Sequence, residues 1–564
     1  MRLNEAELLR KMLQTYRNER APDWREPDYF NWFVAEQVLK AYDPSSDEIK
    51  SGLVDGPDDG GIDGLYVLLE GGFISEDPDF QESRKYLPRG ATIEVIIFQA
   101  KLTDSFAEKA LDVMHNSLRN LLNFDRPLDD FRALYNERVL EAAKRLRETA
   151  EQLSALLPQF RLHIYYATLG SAPNQKVRAR AQDLENELAR IFPLQSEKPG
   201  SVKLLGGKEL VELARMSRPS QYELQCTDIL APEDGGVVAL ARLQDFYRFI
   251  TDENGQFRQS LFESNVRDYQ GSTLVNLEIR RALSGRWEED FWWLNNGVTV
   301  IADEVSSTGK KLTVKDPQIV NGLQTSREIF EYFRNGVEED GRKILVRIVT
   351  PRRPESRDRI IKATNSQTTL PVASLRASDE IQWQIEQSLK ASGWFYERRK
   401  NFYRNAGKPL DRIVSISELG QAVMAVVLQE PGTARARPSS LLKKDEDYRK
   451  VFSPDFSFEV YRAAIELVRL AEGRLKAHKD LTPEDVVNTK FYVAMCVAAL
   501  ACCERAPRPE RIAELAGKGI EDDVVKRAIA LVMGPYKKLG RSSKVAKGRE
   551  LGEKVKERLS EELG

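Results

Sequence analysis

The sequence predicts three architectures in succession: an α/β N-terminal unit, an α+β middle segment and a mostly α C-terminal region. Before residue 220, β-rich apolar runs bounded by Gly, Asp and Pro lie between helical patterns. Short strand patterns and an Asn-Gly turn alternate with helices up to about residue 410, and helical apolar periodicity dominates afterwards. A chain of 564 residues is long enough for two to four domains. We place them at residues 1–220, 221–410, 411–534 and 535–564.

The composition is that of a soluble globular protein, with 41% hydrophobic and 30% charged residues. The net charge is −2, so a surface for nucleic acid would have to be a local patch. Four cysteines and three histidines lack the spacing of a disulfide framework or a zinc site. The N-terminus has no apolar signal-peptide core, and the longest apolar run, residues 491–503, is too short to span a membrane. We therefore expect a cytoplasmic protein with no membrane partner.

The N-terminal unit starts with helical patterns, in one of which Phe30, Phe33, Val34 and Val38 recur at helical spacing. Alternation and turn residues then predict the remaining elements in order. They are strands at 49–54, 62–69 and 93–100, helices at 108–122 and 138–157, a strand at 160–167, a helix at Gln175–Ile191, a strand at 202–205 and a short helix.

Polar side chains stand at the ends of two of these strands. Asp63 opens the strand at 62–69, and Gln99 and Lys101 close the strand at 93–100. Because strand side chains alternate, Gln99 and Lys101 project from the same face, where Asp63 can meet them. A carboxylate, an amide oxygen and a lysine suit a hard divalent cation and an activated water. The pattern favours phosphodiester hydrolysis, and a Gly-rich turn followed by a charged strand end is the structural alternative.

Asp63 followed by Gln99-x-Lys101 resembles the motif of the PD-(D/E)XK nuclease superfamily, in its Mrr-like branch, where Gln replaces the usual acidic residue. The resemblance implies a restriction-endonuclease-like fold and a Mg²⁺ or Mn²⁺ site made by Asp63, Gln99 and the Ala100 carbonyl. Lys101 would act on the water or on the scissile phosphate. The branch often adds a glutamate from the preceding helix, which here is Glu36, or Glu36 is an ordinary solvated residue. A neutral Gln99 should lower the metal affinity.

The middle segment carries several polar motifs in a fixed order. Residues 291–300 predict a strand, an Asn-Gly turn and a second strand, and the run PQIVNGLQTS follows at 317–326. A strand at 344–349 and a helix followed by a loop at 361–367 come next. Over roughly residues 230–410 this set resembles the abortive infection phage resistance (AIPR) family. The resemblance implies a bacterial anti-phage role and does not assign a reaction.

Amides and hydroxyls in these motifs are candidates for a ligand site. Gln324, Thr325 and Ser326 lie where a loop enters a helix, so they could hold an anion such as a phosphate. For Thr325 or Ser326 alone, helix capping is the favoured alternative. A phosphate, a base edge or a signalling nucleotide would each suit the set. Its members are Asn296, Asn321, Gln324, Thr325, Asn365 and Gln367.

Residues 394–404 interleave aromatic side chains with cations. This mixture suits base stacking combined with phosphate contacts, which makes Arg398 and Arg399 candidate DNA contacts. The alternative is a helix end whose aromatics pack inward while its arginines stay solvated.

The C-terminal region shows helical patterns at 415–428, 458–471 and 491–504, which predict a bundle packed on the middle segment. Basic residues between Lys537 and Lys547 make the last segment either a solvated tail or a DNA-contacting arm. No Walker A loop occurs, so ATP-driven translocation is not expected.

Together these patterns and resemblances imply a Mg²⁺-dependent endodeoxyribonuclease of anti-phage defence, acting on double-stranded DNA. We expect a homodimer, because a nuclease with one active site per chain often cuts both strands as a symmetric dimer. Other proteins of a defence system are possible partners. The competing hypothesis is a non-catalytic DNA-binding or infection-sensing protein with a degenerate nuclease fold, and Gln99 keeps that hypothesis open.

Overall fold

The structure of the protein is a computed structural model. It describes residues 5–74, 87, 89–170, 172–192, 199–215, 221–231, 236–252, 255, 257–262, 274–285, 289–334, 336–337, 339–351, 356, 359–360, 363, 380–398, 400–436 and 445–564.

The N-terminal unit is built around a mixed five-stranded sheet with the order β2-β1-β3-β4-β5. Its strands are β1 Gly64–Leu69, β2 Gly72–Phe73, β3 Thr92–Lys101, β4 Gln159–Thr168 and β5 Gly200–Leu205. β1 is antiparallel to β2 and β3, whereas β3, β4 and β5 run parallel. The helices are α1 Glu5–Arg20, α2 Glu26–Val38, α3 Ser46–Gly52, α4 Glu108–Leu121, α5 Glu137–Gln152, α6 Gln175–Ile191 and α7 Gly207–Arg215.

Strand β3 separates two apolar cores because its side chains alternate. Ile93, Val95 and Ile97 pack with residues of α4 and α5. Ile96, Phe98 and Ala100 pack on the opposite face with residues of α1 and α2. The side chains of odd-numbered residues at the end of β3 therefore face α4 and α5.

The predicted strand at 49–54 is wrong, since residues Ser46–Gly52 form helix α3. A capping box begins this helix: the Ser45 hydroxyl accepts from the Glu48 amide at 3.1 Å, and Glu48 accepts from the Ser45 amide at 2.6 Å. Only Leu53 pairs with β1, through a single bridge to Gly64. The other predicted strands of the unit and the helix Gln175–Ile191 are confirmed, with ends that differ by at most two residues.

The middle segment contains two further sheets, with the orders β10-β11-β6 and β12-β9-β13-β8-β7. Its strands are β6 Gln221–Gln225, β7 Asp228–Leu230, β8 Val237–Arg242, β9 Val298–Ile301, β10 Glu304–Thr308, β11 Lys311–Lys315, β12 Gln318–Asn321 and β13 Lys343–Val349. Its helices are α8 Leu243–Ile250, α9 Leu274–Ser284, α10 Phe291–Leu294 and α11 Leu323–Arg334. The predicted first strand of residues 291–300 is instead the helical turn α10, because a short continuous apolar run does not distinguish strand from helix.

The C-terminal region is a helical bundle with a two-stranded parallel sheet at its start. Its elements are α12 Glu380–Ala391, β14 Phe395–Glu397, α13 Phe402–Asn405, β15 Ile413–Ser415, α14 Ile416–Val426, α15 Pro431–Ala436, α16 Asp445–Val451, α17 Phe458–Lys476, α18 Pro483–Cys502, α19 Pro509–Ala513, α20 Asp522–Lys538, α21 Ser543–Lys547 and α22 Arg549–Leu563. The fold class is thus mixed α/β with a helical C-terminal region.

The expected basic tail, residues 535–564, is not a flexible or solvated arm. Its final helix α22 buries Leu551, Val555 and Leu559 in the core of the bundle. These residues recur every fourth position, so three apolar side chains are enough to give the charged helix a buried face.

Helix α18 is, among the helices that the structure describes, the one long and apolar enough to cross a membrane. In this fold 83% of its apolar window is buried inside the protein. Its neighbours α17 and α20 share the same apolar core. The helix occupies the position of a central core helix.

Candidate metal and catalytic site

The structure brings Asp63, Gln99 and Lys101 together at the end of two paired strands. Gly64 pairs with Phe98, and the Asp63 amide donates to the Phe98 carbonyl at 2.9 Å, which places Asp63 opposite Gln99. The Asp63 carboxylate accepts from the Ala100 amide at 2.7 Å. Lys101 Nζ lies 3.8 Å from Asp63 Oδ2. The three side chains predicted from the sequence thus share the face of the sheet that packs on α4 and α5.

Gln99 has an unusual environment for an amide. The residue is 3% exposed, and its Oε1 has no hydrogen-bond partner in the described part of the chain. An unpaired buried oxygen costs on the order of 1–3 kcal/mol. A hard cation bound beside Asp63 would satisfy this oxygen, so the residues present fit a divalent metal ion.

Burial raises the pKa of Asp63 to about 7, and the nearby carboxylates of Asp59 and Asp55 act in the same direction. Lys101 and the Ala100 amide favour the charged form but do not outweigh burial. Lys101 itself keeps 42% of its side chain exposed. The site therefore combines a buried carboxyl group that titrates near neutral pH with an ammonium group open to solvent.

A tight loop, residues 54–63, delivers Asp63 to the sheet. Gly60 and Gly61 have φ values of +64° and +76°, which glycine adopts without strain. A Cβ atom on Gly61 would lie 3.0 Å from Gln99 Nε2, and one on Gly60 would lie 2.5 Å from Ser117 Oγ. The Asp59 carboxylate accepts from the Gly61 amide at 2.7 Å and closes the turn. The two glycines let the loop press against α4 beside Gln99.

Glu36 is not brought to this site. It lies on α2, which packs on the opposite face of β3, and Arg20 binds both of its oxygens at 3.0 and 2.9 Å. Arg404 Nε lies 3.8 Å from Glu36 Oε1. Burial favours the neutral form, but the two guanidinium groups outweigh it and lower the pKa of Glu36. We therefore leave Glu36 out of the metal site.

The remaining donors are few. Among the described residues, no three His, Cys, Asp or Glu side chains lie close enough to hold a metal ion together. A cation would be bound by the Asp63 carboxylate, the Gln99 amide oxygen and the backbone carbonyl of Ala100. One carboxylate among three oxygens is a weak set, which agrees with the low affinity that Gln99 predicts.

Three polar residues of the middle segment, Gln324, Thr325 and Ser326, lie in the first turn of α11. Asn295 Nδ2 lies 3.2 Å from Thr325 Oγ1, and the Ser326 hydroxyl donates to the Gly322 carbonyl at 2.8 Å. Gln324 is 8% exposed, and its Oε1 has no partner in the part of the chain described. Asn295, which the sequence pattern did not single out as a ligand residue, is thus a structural partner of Thr325.

The other members of the predicted ligand set are placed differently. Asn296 is exposed, and its carbonyl accepts from Arg347 at 2.6 Å. Asn321 is half-buried at the end of β12. Asn365 and Gln367, like Arg399, lie outside the described residues. A ligand pocket at the start of α11 remains a prediction.

Comparison with known proteins bears on a segment of slightly less than half of the chain, which contains α11. Residues 262–516 match the model of the family described as AIPR protein. Over this segment the chain is similar to the AIPR family. The match extends further into the helical region than the resemblance predicted, and it suggests a role in phage defence. No curated protein and no solved structure matches the chain.

Arg398, within the AIPR segment (residues 262–516), does not lie on the surface. It is 6% exposed, and its Nε donates to Glu386 at 2.7 Å. Tyr403 also donates to Glu386, at 2.8 Å, and Trp394 and Tyr396 are buried as well. A side chain so enclosed does not reach a DNA backbone, so the prediction that Arg398 contacts DNA is wrong. The aromatic side chains pack inward, as the alternative interpretation predicted, but Arg398 is buried and paired rather than solvated.

Proposed function

We propose that the protein is a metal-dependent DNA endonuclease that hydrolyses phosphodiester bonds in bacterial anti-phage defence. One observation carries this proposal: Asp63 Oδ2 lies 3.8 Å from Lys101 Nζ beside the unpaired, buried Gln99 Oε1. A carboxylate, an amide oxygen and a lysine on paired strands are suited to an attack of water on a phosphodiester.

Each group has a distinct part in that chemistry. A bound Mg²⁺ or Mn²⁺ would polarise the phosphate and lower the pKa of a coordinated water. Asp63, Gln99 and the Ala100 carbonyl would hold the ion. The solvent-open end of Lys101 would position the attacking water or neutralise charge that develops on the scissile phosphate.

Two features of the chain support the assignment to DNA cleavage in defence. Asp63 precedes strand β1, and Gln99 and Lys101 close its partner β3, which follows the motif order of the PD-(D/E)XK resemblance. The AIPR match over residues 262–516 suggests a role in phage defence. We place the protein in the cytoplasm with double-stranded DNA as its substrate, and other defence proteins as possible partners.

The test is incubation of the purified full-length protein with supercoiled plasmid in Mg²⁺, Mn²⁺ or EDTA. We expect metal-dependent nicked or linear product, and loss of cleavage in Asp63→Ala and Lys101→Ala. Lys144→Ala is the matched control, since Lys144 is an exposed lysine on α5 that pairs with Glu148 on the same helix. Cleavage by Lys101→Ala at the rate of the wild-type protein would disprove the assignment.

The neutral side chain of Gln99 favours a second candidate, a non-catalytic DNA-binding or infection-sensing protein. In that case the wild-type protein would bind plasmid without cutting it in either metal. Lys101→Ala would then change neither binding nor product.

A further inference from the structure

The loop that carries Asp63 is fixed from outside by the first turn of α5. Asn136, the N-cap of this helix, donates through Nδ2 to the carbonyls of Val54 at 3.1 Å and Pro57 at 3.2 Å. Its own amide donates to the Asp58 carbonyl at 2.8 Å. The loop is thus attached to α5 at three points, in addition to its contact with α4.

Arg138 makes a second connection between α5 and the site. Its guanidinium donates to the carbonyl of Leu53 at 3.3 Å and to that of Asp55. Between them lies Val54, whose amide donates to the carbonyl of Asp63 at 2.9 Å. The position of Arg138 therefore sets the backbone that is hydrogen-bonded directly to Asp63.

The same guanidinium is held by the AIPR segment. Arg138 Nε donates at 3.1 Å to Glu484, in the first turn of α18, and the side chains are 21% and 15% exposed. Two contacts beyond the AIPR segment support this junction: Glu137 accepts from the Ser543 amide at 2.8 Å, and Lys547 lies 3.5 Å from Glu141. Arg138 is mostly buried, and it contacts both the Asp63 loop and α18.

We infer that Arg138 is a positioning residue for the proposed hydrolysis, and that Glu484 sets its position. Through this link the helical bundle of the AIPR segment controls the geometry of the Asp63 loop. The inference rests on the proposed function for its effect on the rate. A planar guanidinium can bind two carbonyls and a carboxylate at once, which a lysine ammonium does not reproduce.

The experiment compares the full-length wild-type protein with Glu484→Gln, Arg138→Gln, Arg138→Lys and the double variant Arg138→Gln/Glu484→Gln. Glu484→Gln keeps the shape of the side chain and removes its charge. Hydrogen exchange at the amides of residues 54–63 reports on the loop without any need for catalysis. Plasmid cleavage gives kcat and KM, and Lys144→Ala serves again as the control on α5.

In Glu484→Gln we expect loop exchange at least fivefold faster, and a kcat at least fivefold lower with KM unchanged. Arg138→Lys should retain neither the loop exchange rate nor the kcat of the wild-type protein. In the double variant, loop exchange should be no faster and kcat no lower than in Arg138→Gln, because both changes break the same link.

Wild-type loop exchange and kcat in folded Glu484→Gln would overturn the inference, even if its melting temperature falls. If the wild-type protein does not cleave DNA, the proposed function fails. Loop exchange then still decides whether Glu484 controls the loop.

Discussion

At the scale of single residues, the candidate site is defined by groups that are costly to bury. Asp63 is 4% exposed with a pKa near 7, and Gln99 is 3% exposed with an unpaired oxygen. Such groups destabilise the metal-free fold, and a bound cation would compensate for both. Unfavourable burial of this kind is typical of a functional site.

Replacing Asp63 by Asn should therefore stabilise the metal-free protein while abolishing cleavage. The folded pKa of about 7 lies above the ordinary 3.8, so ionisation lowers the free energy of unfolding as the pH rises from about 4 to about 7. In EDTA at pH 8, the free energy of unfolding of Asp63→Asn should exceed that of the wild-type protein, by about 1.4 kcal/mol for each pH unit that separates the folded pKa from the ordinary one. The difference should shrink towards pH 4. Urea denaturation at both pH values measures it, and equal stability at pH 8 would contradict the assigned pKa.

Changing Gln99 to Glu should tighten metal binding. A second carboxylate supplies the charge that the amide lacks, so the dissociation constant for Mn²⁺, measured by calorimetry, should fall by at least tenfold. In EDTA the same variant should be less stable, because two buried carboxylates repel each other. An unchanged Mn²⁺ affinity would show that residue 99 does not contact the metal.

At the scale of elements, the N-terminal unit and the start of the C-terminal region share a charged, buried interface. Arg404 of α13 approaches Glu36 of α2, and Asn401 donates to Asp43 at 2.9 Å. Tyr403, Leu410 and Ile413 complete the apolar core beneath α2. Within residues 394–404, the described cations Arg398, Lys400 and Arg404 therefore pair with carboxylates of other elements.

Arg398→Ala should lower the free energy of unfolding by about 3–5 kcal/mol, because it removes the charged partner of the buried Glu386 carboxylate. Urea denaturation gives the loss, and removal of both charges in Arg398→Met/Glu386→Gln should recover most of it. The folded fraction of Arg398→Ala should bind DNA with wild-type affinity and salt dependence. A stable variant with weaker DNA binding would instead make Arg398 a phosphate contact.

At the scale of the whole molecule, the C-terminal helices contact the N-terminal unit through α5. Residues 535–564 belong to this bundle, since α22 buries one face in the same core as α18. The last thirty residues are thus part of the fold.

Leu551→Ala should destabilise the protein by about 2–5 kcal/mol, as expected for a leucine deleted from a packed core. Lys556→Ala, at an exposed position of the same helix, should have almost no effect. Thermal and urea denaturation compare the two variants. A Leu551→Ala protein as stable as wild type would mean that α22 does not dock in solution.

The homodimer remains a prediction. Two sites related by a twofold axis would face both strands of a duplex, so double-strand cleavage should accompany self-association. Sedimentation velocity at micromolar concentrations measures the oligomeric state. A monomer that still produces linear plasmid in one binding event would contradict the homodimer prediction.

The sequence by itself determined the local features of this protein. Alternation along a strand placed Gln99 and Lys101 on one face, and apolar periodicity located most helices and strands of the N-terminal unit. It did not locate α3, whose capping box outweighed the strand-like composition of residues 49–54. Local patterns carry this information because each depends on neighbours only a few residues apart.

Only the tertiary structure decided which partners the charged residues have. Glu36 pairs with Arg20 and Arg404, and Arg398 is buried with Glu386. Arg138 pairs with Glu484, which lies 346 positions later in the sequence. The local sequence pattern around each of these side chains is equally compatible with a position on the solvated surface. The packing of α2, α5 and α18 removes the solvent around these charges, and their pairing follows from that desolvation.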